Sequence, residues 1–142
     1  MGARKHFRAE AIKEEKMNLF SAQLRNNPTS PRKMRLVAEL IRGEHVVKAL
    51  HILQQSNKEA SLKLEKLLPS AIPNWEQKNE GKKRDESRLY VKEVFVDSGR
   101  MLKRIQAAPQ GRAHRIRKRS NHVTIILDSY QEEEINTDTS QS

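Results

Sequence analysis

Eight Lys and Arg residues lie between residues 99 and 127, and no Asp or Glu lies among them. Guanidinium and ammonium groups bind phosphate oxygens, and cations packed this densely repel one another unless an anion neutralises them. The chemistry predicted for this stretch is therefore recognition of a polyphosphate such as a nucleic acid. The candidate contacts are Arg100, Lys103, Arg104, Arg112, Arg115, Arg117, Lys118, Arg119 and, three residues later, His122.

A second basic group crowds the start of a predicted helix, where Arg32, Lys33 and Arg35 follow Pro31. The N-terminus of a helix already carries the positive end of its dipole, so cations there are unfavourable unless phosphates supply the opposite charge. The alternative interpretation is a solvated basic face. Together with Arg25 and Arg42, these three residues favour an RNA contact.

The chain contains His, Ser and acidic residues, which are common in active sites, but their spacing matches no catalytic motif. The five His residues show no metal-binding spacing, and the chain has neither a Gly-rich phosphate loop nor a Gly-x-Ser-x-Gly motif. The absence of Cys excludes zinc fingers and thiol chemistry and is typical of a reducing compartment. We therefore expect no enzyme activity, no metal and no cofactor.

The overall charge agrees with nucleic-acid binding. The chain of 142 residues has 28 Lys and Arg against 18 Asp and Glu, a net charge of +10, and no Lys or Arg follows residue 127. An ordinary soluble protein with a high pI is the alternative. Aromatic residues make up 4% of the chain, which disfavours a base-stacking platform. No apolar run approaches the roughly 18 residues of a membrane span, and no apolar leader is visible, so we expect a cytoplasmic protein.

The elements that must position these cations follow from periodicity and caps. Alternation predicts a short strand from Phe20 to Leu24, and three amphipathic helices follow it, the first starting at Ser30 with its hydroxyl as N-cap and ending at Gly43. A capping box from Ser56 to Glu59 predicts the start of the third helix. Pro69 and Pro73 either kink or break this helix, and the phase of its apolar stripe favours a kink with continuation to Lys78.

The basic run lies between two strand-like stretches, residues 89–96 and 122–127, and folds back near residues 108–111. It therefore predicts a β-hairpin whose base joins a sheet and in which Ile105 and Ile116 can pair across the strands. The fold class predicted is α+β: three helices packed on a small antiparallel three-stranded sheet, with a long extended β-hairpin.

We expect three regions along the chain. Residues 1–18 form a basic N-terminal extension, either a short helix around residues 9–17 or a flexible arm. Residues 19–127 form a single RNA-binding domain, with a globular part (residues 19–98 and strand 122–127) and an extended hairpin (residues 99–121). Residues 80–88 are a polar linker, and residues 128–142 are an acidic disordered tail.

Several stretches closely resemble one family, that of large ribosomal subunit protein number twenty-two, whose hairpin lies in the exit tunnel. They are residues 29–43 (TSPRKMRLVAELIRG), 70–75 (SAIPNW), 94–99 (VFVDSG), 102–105 (LKRI) and 111–127 (GRAHRIRKRSNHVTIIL). The resemblance implies that the protein is a monomer within the large subunit, binds its 23S rRNA and aids early assembly. It also implies that Arg32, Lys33 and Arg35 contact rRNA from the globular body and that the hairpin cations do so along the tunnel wall.

The resemblance further implies a position for the hairpin tip near the tunnel constriction. There it would lie close to the macrolide site and ribosomal protein number four, and would meet the nascent peptide. The residues of this tip are Gln106, Ala107, Ala108, Pro109, Gln110 and Gly111. Many members have a more basic tip, so this one presents less charge to a passing peptide.

Two other classes of function stay open at this point. An architectural DNA-binding protein with β-arms would need a symmetric dimer and apolar arm tips that wedge between base steps, and only Pro109 suits it. A basic chaperone-like interaction module has no sequence feature of its own.

Overall fold

The computed structural model describes residues 3–79 and 88–130. Its helices and strands are α1 (Ala3–Asn18), β1 (Phe20–Asn27), α2 (Pro31–Ile41), α3 (Val46–Gln55), α4 (Glu59–Lys78), β2 (Leu89–Ser98), β3 (Leu102–Ala107), β4 (Ala113–Lys118) and β5 (Asn121–Ser129). The predicted α+β class is confirmed. Besides the three predicted helices there is α1, which agrees with the helical alternative for the N-terminal extension but is longer than the predicted residues 9–17.

The core lies between α2, α3 and α4 and one antiparallel sheet with the strand order β1-β5-β2. The last strand in the sequence is thus the central one. Its alternate residues Val123, Ile125 and Leu127 are buried, and they share one apolar cluster with Met34 of α2 and Trp75 of α4. This alternation is expected of a strand with one face on a core.

Helix α4 continues through Pro69 and Pro73 to Lys78, as predicted. Both prolines are exposed, whereas Leu68 and Trp75 on the same helix are buried. The carbonyl groups that lose a helical donor belong to Glu65, which is half-buried, and to Pro69, which is exposed, so both residues lie on the side of the helix that water can reach. The two prolines thus remove helical hydrogen bonds without leaving an unpaired polar group in the core.

The predicted capping box is wrong. Helix α4 begins at Glu59 after Lys58, without a side-chain cap, and Ser56 ends α3 in an extended conformation. The Ser56 hydroxyl accepts a hydrogen bond from the N–H of Lys58 at 3.5 Å instead. The other predicted cap is half right: Ser30 is the N-cap of α2 but makes no side-chain cap hydrogen bond, and Gly43 has the expected left-handed φ of 78°.

Helix α1 spans all of the described N-terminal extension, and the side chains of residues 3–16 are exposed. At the other end, β5 continues past the predicted boundary to Ser129. There Lys92 Nζ donates to Asp128 Oδ2 at 2.7 Å, and this hydrogen bond and the carboxylate charge raise the pKa of Lys92. The predicted linker, apart from Arg88, and residues 131–142 of the predicted tail lie outside the described residues.

Candidate nucleic-acid interface

Strands β3 and β4 form a two-stranded sheet of their own, separate from the sheet of the body. We call residues 100–119 the arm. Every side chain of β3 is exposed, and in β4 only Ile116 is half-buried. At about 3.3 Å per residue, the eleven residues from Gly99 to the tip reach about 35 Å. The arm therefore has strand pairing but no core of its own.

The register of the arm places cations on both of its faces. Residues directly opposite each other in an antiparallel pair share a face, and successive residues alternate between faces. One face carries the pairs Leu102 and Lys118, Arg104 and Ile116, and Gln106 and His114. The other carries Lys103 and Arg117, Ile105 and Arg115, and Ala107 and Ala113. The predicted contact between Ile105 and Ile116 is wrong, because they lie on opposite faces and an Arg stands opposite each of them.

These cations have no internal counter-charge. Within residues 3–79 and 88–130, the ion pairs lie in α1, at the end of α2, at the start of α3 and between β2 and β5, and none involves the arm. Lys103 stands directly opposite Arg117, and like charges in that position destabilise a strand pair. An external anion on each face would relieve this repulsion.

The tip of the arm is compact and uncharged. A short 3₁₀ turn at Pro109–Gly111 reverses the chain, and the N–H of Ala108 donates to the carbonyl of Arg112 at 2.8 Å. Gln110 and Gly111 both have left-handed φ, 62° and 70°. The nearest cation in sequence is Arg112, which directly follows the tip, so the tip itself carries no charge.

The arm is fixed to the body at a neck formed by Gly99, Ser120 and Asn121. The N–H of Gly99 donates to the carbonyl of Ser120 at 2.8 Å, and the Ser120 hydroxyl donates to the carbonyl of Arg100. Asn121 is fully buried, and its amide donates to the carbonyl and the hydroxyl of Thr29, at 2.7 and 2.8 Å.

The sequence did not point to Asn121 or Thr29 as positioning residues. The one available signal was an amide side chain at the first position of an apolar strand. Asn27 belongs to the same buried cluster, because its amide donates to the Thr29 hydroxyl at 2.7 Å. These bonds tie the neck to the loop before α2, so the arm leaves the body in a defined direction.

The body cations fall into two groups. Arg25, Arg32 and Lys33 are exposed, and among the described residues none of them forms an ion pair. The guanidinium groups of Arg35 and Arg42 instead donate to carbonyls of β2: Arg35 to Val96 at 3.0 and 3.3 Å, and Arg42 to Val94 at 2.9 Å.

Strand β2 lies at the edge of its sheet, where unpaired carbonyl groups invite another strand. Arg35 and Arg42 occupy two of those carbonyls. The chain after α2 protects the same edge, since the N–H of Gly43 donates to Val91 O at 2.8 Å and the N–H of Val91 donates to Glu44 O at 2.9 Å. These two arginines thus have a structural role that the sequence did not indicate, and their RNA contact stays a prediction.

His122 is half-buried at the foot of the arm. Its Nδ1 accepts a hydrogen bond from the N–H of Asn26 at 3.0 Å, where β1 has a register irregularity and Asn26 adopts a φ of 54°. The side chain therefore holds the end of β1 against β5. It lines a surface cavity together with the exposed Arg25.

Comparison with known proteins gives this fold and arm a family. The model of the family "Ribosomal protein L22p/L17e" matches residues 22–128, which include nearly all of the sheet, helices α2 to α4 and the whole arm. This chain belongs to the L22p/L17e family. The membership confirms the predicted resemblance, and because the family is one of ribosomal proteins it also agrees with the prediction that the chain is not an enzyme.

Individual relatives of the L22p/L17e family cover nearly the full chain. Large ribosomal subunit protein uL22 of Christiangramia forsetii is 65% identical over 127 residues, which are 89% of this chain and 94% of that protein. The uL22 of Flavobacterium johnsoniae is 64% identical over 89% of this chain and 93% of its own length. That of Porphyromonas gingivalis is 60% identical over 129 residues, 91% of this chain and 96% of its own length.

All fourteen residues predicted to contact RNA, from Arg25 to His122, lie inside the segment that the L22p/L17e model matches. In the described part of the chain, no group of His, Asp and Glu side chains has an arrangement that could hold a metal ion. No helix of residues 3–79 and 88–130 combines the length and the apolarity that crossing a membrane requires.

Proposed function

We propose that this protein is a structural constituent of the large ribosomal subunit in the cytoplasm, and that its arm binds large-subunit rRNA. The observation that carries the proposal is the distribution of unpaired cations on both faces of an arm without a core. Such an arm is poorly stable alone and well suited to lie between two phosphate backbones. Family membership and the names of the relatives agree with this role.

The finer proposal concerns the place of the arm in the subunit. The resemblance implies that it lines the nascent-peptide exit tunnel, with its tip near ribosomal protein number four, the macrolide site and the passing nascent peptide. Two features support this. The uncharged tip, Gln106 to Gly111, has no cation that would bind phosphate. The buried Asn121 at the neck fixes the base of the arm to the body in the free protein.

The exposed Arg32 and Lys33 in the first turn of α2 supply a second contact on the body. That turn contains no acidic residue, so the helix dipole and both side chains favour an anion at the same place. Two separate contacts, one on the arm and one on α2, would each hold a different rRNA segment, and in this way the protein would aid early assembly of the subunit.

Sucrose-gradient profiles of cells that rely on variant protein test the proposal. We expect Arg112→Glu and Lys118→Glu to reduce the 50S-size peak and to leave less variant protein in it. The control is Lys66→Glu, which makes the same change of charge at an exposed site on α4. Lys78 is less suitable, since its Nζ donates to the carbonyl of Leu19 at 2.9 Å. Equal profiles for arm and control variants would contradict the proposal.

A further inference from the structure

A single carboxylate stands at the foot of the cationic arm. Asp97 is the last acidic residue before Asp128 in the sequence, and it lies directly opposite His122 in the register of β2 and β5. It is exposed, and among the described residues it has neither an ion-pair partner nor a hydrogen-bond partner. A surface that served only to attract phosphate would gain from losing this negative charge.

Asp97 lines a surface cavity together with Gln23, Arg25, His122 and Thr124. This cavity, which we call the neck cavity, opens beside the point where the arm leaves the body. Two of its lining side chains make hydrogen bonds within the protein: Arg25 Nη2 donates to Gln23 Oε1 at 3.1 Å, and His122 Nδ1 accepts the N–H of Asn26 at 3.0 Å. A surface cavity lined by several hydrogen-bond donors and acceptors can receive a small planar group with several hydrogen-bonding atoms.

The side chains that line the neck cavity favour some chemical groups of RNA over others. A carboxylate accepts hydrogen bonds and repels phosphate, so an RNA group that binds at Asp97 has to be a hydrogen-bond donor. On the Watson–Crick edge of an unstacked base, guanine presents two adjacent donors, N1–H and the N2 amino group, which match the two carboxylate oxygens. Cytosine and adenine present one amino donor beside an acceptor. Arg25 and the amide nitrogen of Gln23 are donors of the kind that guanine O6 accepts.

We propose that the neck cavity binds one unstacked guanine of large-subunit rRNA, with Asp97 accepting hydrogen bonds from its N1–H and N2 amino groups. This rests on the proposed rRNA binding and adds a base-specific contact to it. The arm contacts would then hold the backbone without regard to sequence, while Asp97 fixes the register of the protein on the RNA.

A matched pair of variants tests the proposal, because electrostatic repulsion and a base contact predict opposite changes in the rRNA affinity of Asp97→Ala. Asp97→Ala and Glu93→Ala each remove one exposed carboxylate from β2, about 13 Å apart along the strand. Electrostatics alone predicts that both bind an rRNA transcript as tightly as the unchanged protein or slightly more tightly. Loss of a bidentate base contact predicts that Asp97→Ala alone binds about tenfold more weakly.

A second experiment identifies the base. A large-subunit rRNA transcript with inosine in place of scattered guanines lacks the N2 amino group at those positions. Transcripts that bind the unchanged protein should be depleted of inosine at one position. Transcripts that bind Asp97→Ala should not show this depletion. Equal or tighter binding by Asp97→Ala, or the same inosine pattern for both proteins, would overturn the proposal. In either case the unchanged protein would still bind the transcript in a salt-dependent way. Loss of that binding, by contrast, would mean that the proposed rRNA binding itself is wrong.

Discussion

Replacing Arg117 with Glu should act in opposite directions on the free arm and on its complex with RNA. In the free protein, Arg117 stands directly opposite Lys103 with no counter-charge among the described residues. Glu at this position converts a repulsive cross-strand pair into an attractive one. In the complex, the same change removes a phosphate contact and places a negative charge near the RNA backbone.

The size of each effect follows from the structure. An exposed cross-strand charge pair contributes about 0.2–1 kcal/mol, so relief of the repulsion together with the new attraction stabilises the arm by about 0.5 kcal/mol. This corresponds to roughly twofold slower exchange of the amide hydrogens in β3 and β4. Loss of one charge-assisted phosphate contact weakens RNA binding about tenfold or more, and lowers the salt dependence, the slope of log K against log salt, by about 0.7–0.9.

Two measurements on the same protein preparations separate these effects. Hydrogen exchange followed by NMR reports on the amides of residues 102–118 in the free protein. Fluorescence anisotropy with a large-subunit rRNA transcript, titrated across a series of KCl concentrations, gives the affinity and the salt slope. Lys66→Glu is the control for the change in net charge, because its exposed side chain lies on α4 rather than on the arm.

Two results would refute this reasoning. Faster exchange in the Arg117→Glu arm would mean that Arg117 stabilises the hairpin through a contact that the register does not show. An affinity and salt slope equal to those of Lys66→Glu would mean that this face of the arm does not meet phosphate.

Three further predictions concern the neck and the body. Gly99→Ala places a Cβ 2.6 Å from Ser120 Oγ and 3.2 Å from the Ser120 carbonyl carbon, so the Ser120 hydroxyl has to leave the carbonyl of Arg100 and the backbone has to give slightly; we expect a lower Tm and reduced incorporation into 50S-size particles on gradients. Asn121→Ala removes buried hydrogen bonds at a fully buried position, and chemical denaturation should show a loss of about 2–4 kcal/mol. The Lys92–Asp128 pair raises the Lys92 pKa above 10.5, so its small stabilisation is present below pH 10.5 and disappears above that pH; a Lys92→Ala variant should have a flatter stability profile in that range.

The sequence was sufficient for the features that depend on local pattern. The run of cations without acids indicated the arm, and the apolar alternation in the last strand and the stripes of the three helices indicated the core and the α+β class. The apolar phase across Pro69 and Pro73 correctly predicted that α4 continues, because both prolines fall on the exposed face.

Features that depend on tertiary geometry were not accessible in this way. The faces of the arm depend on where the chain turns, and the 3₁₀ turn at Pro109–Gly111 sets a register that separates Ile105 from Ile116. The structural role of Arg35 becomes visible only once β2 is known to be an edge strand. In the same way, the polar cluster around Asn121 joins residues more than 90 positions apart, which no local motif connects.

The central claim, that the arm lies between rRNA segments with both faces in contact, has one direct test. The chain contains no Cys, so Ile105→Cys and Gln106→Cys each give a unique attachment site for a tethered iron chelate, on opposite faces of the arm. Hydroxyl radicals released in purified large subunits cleave nearby rRNA backbone. We predict strong cleavage from both sites, at different rRNA positions. Cleavage from only one site, or from neither, would contradict the account.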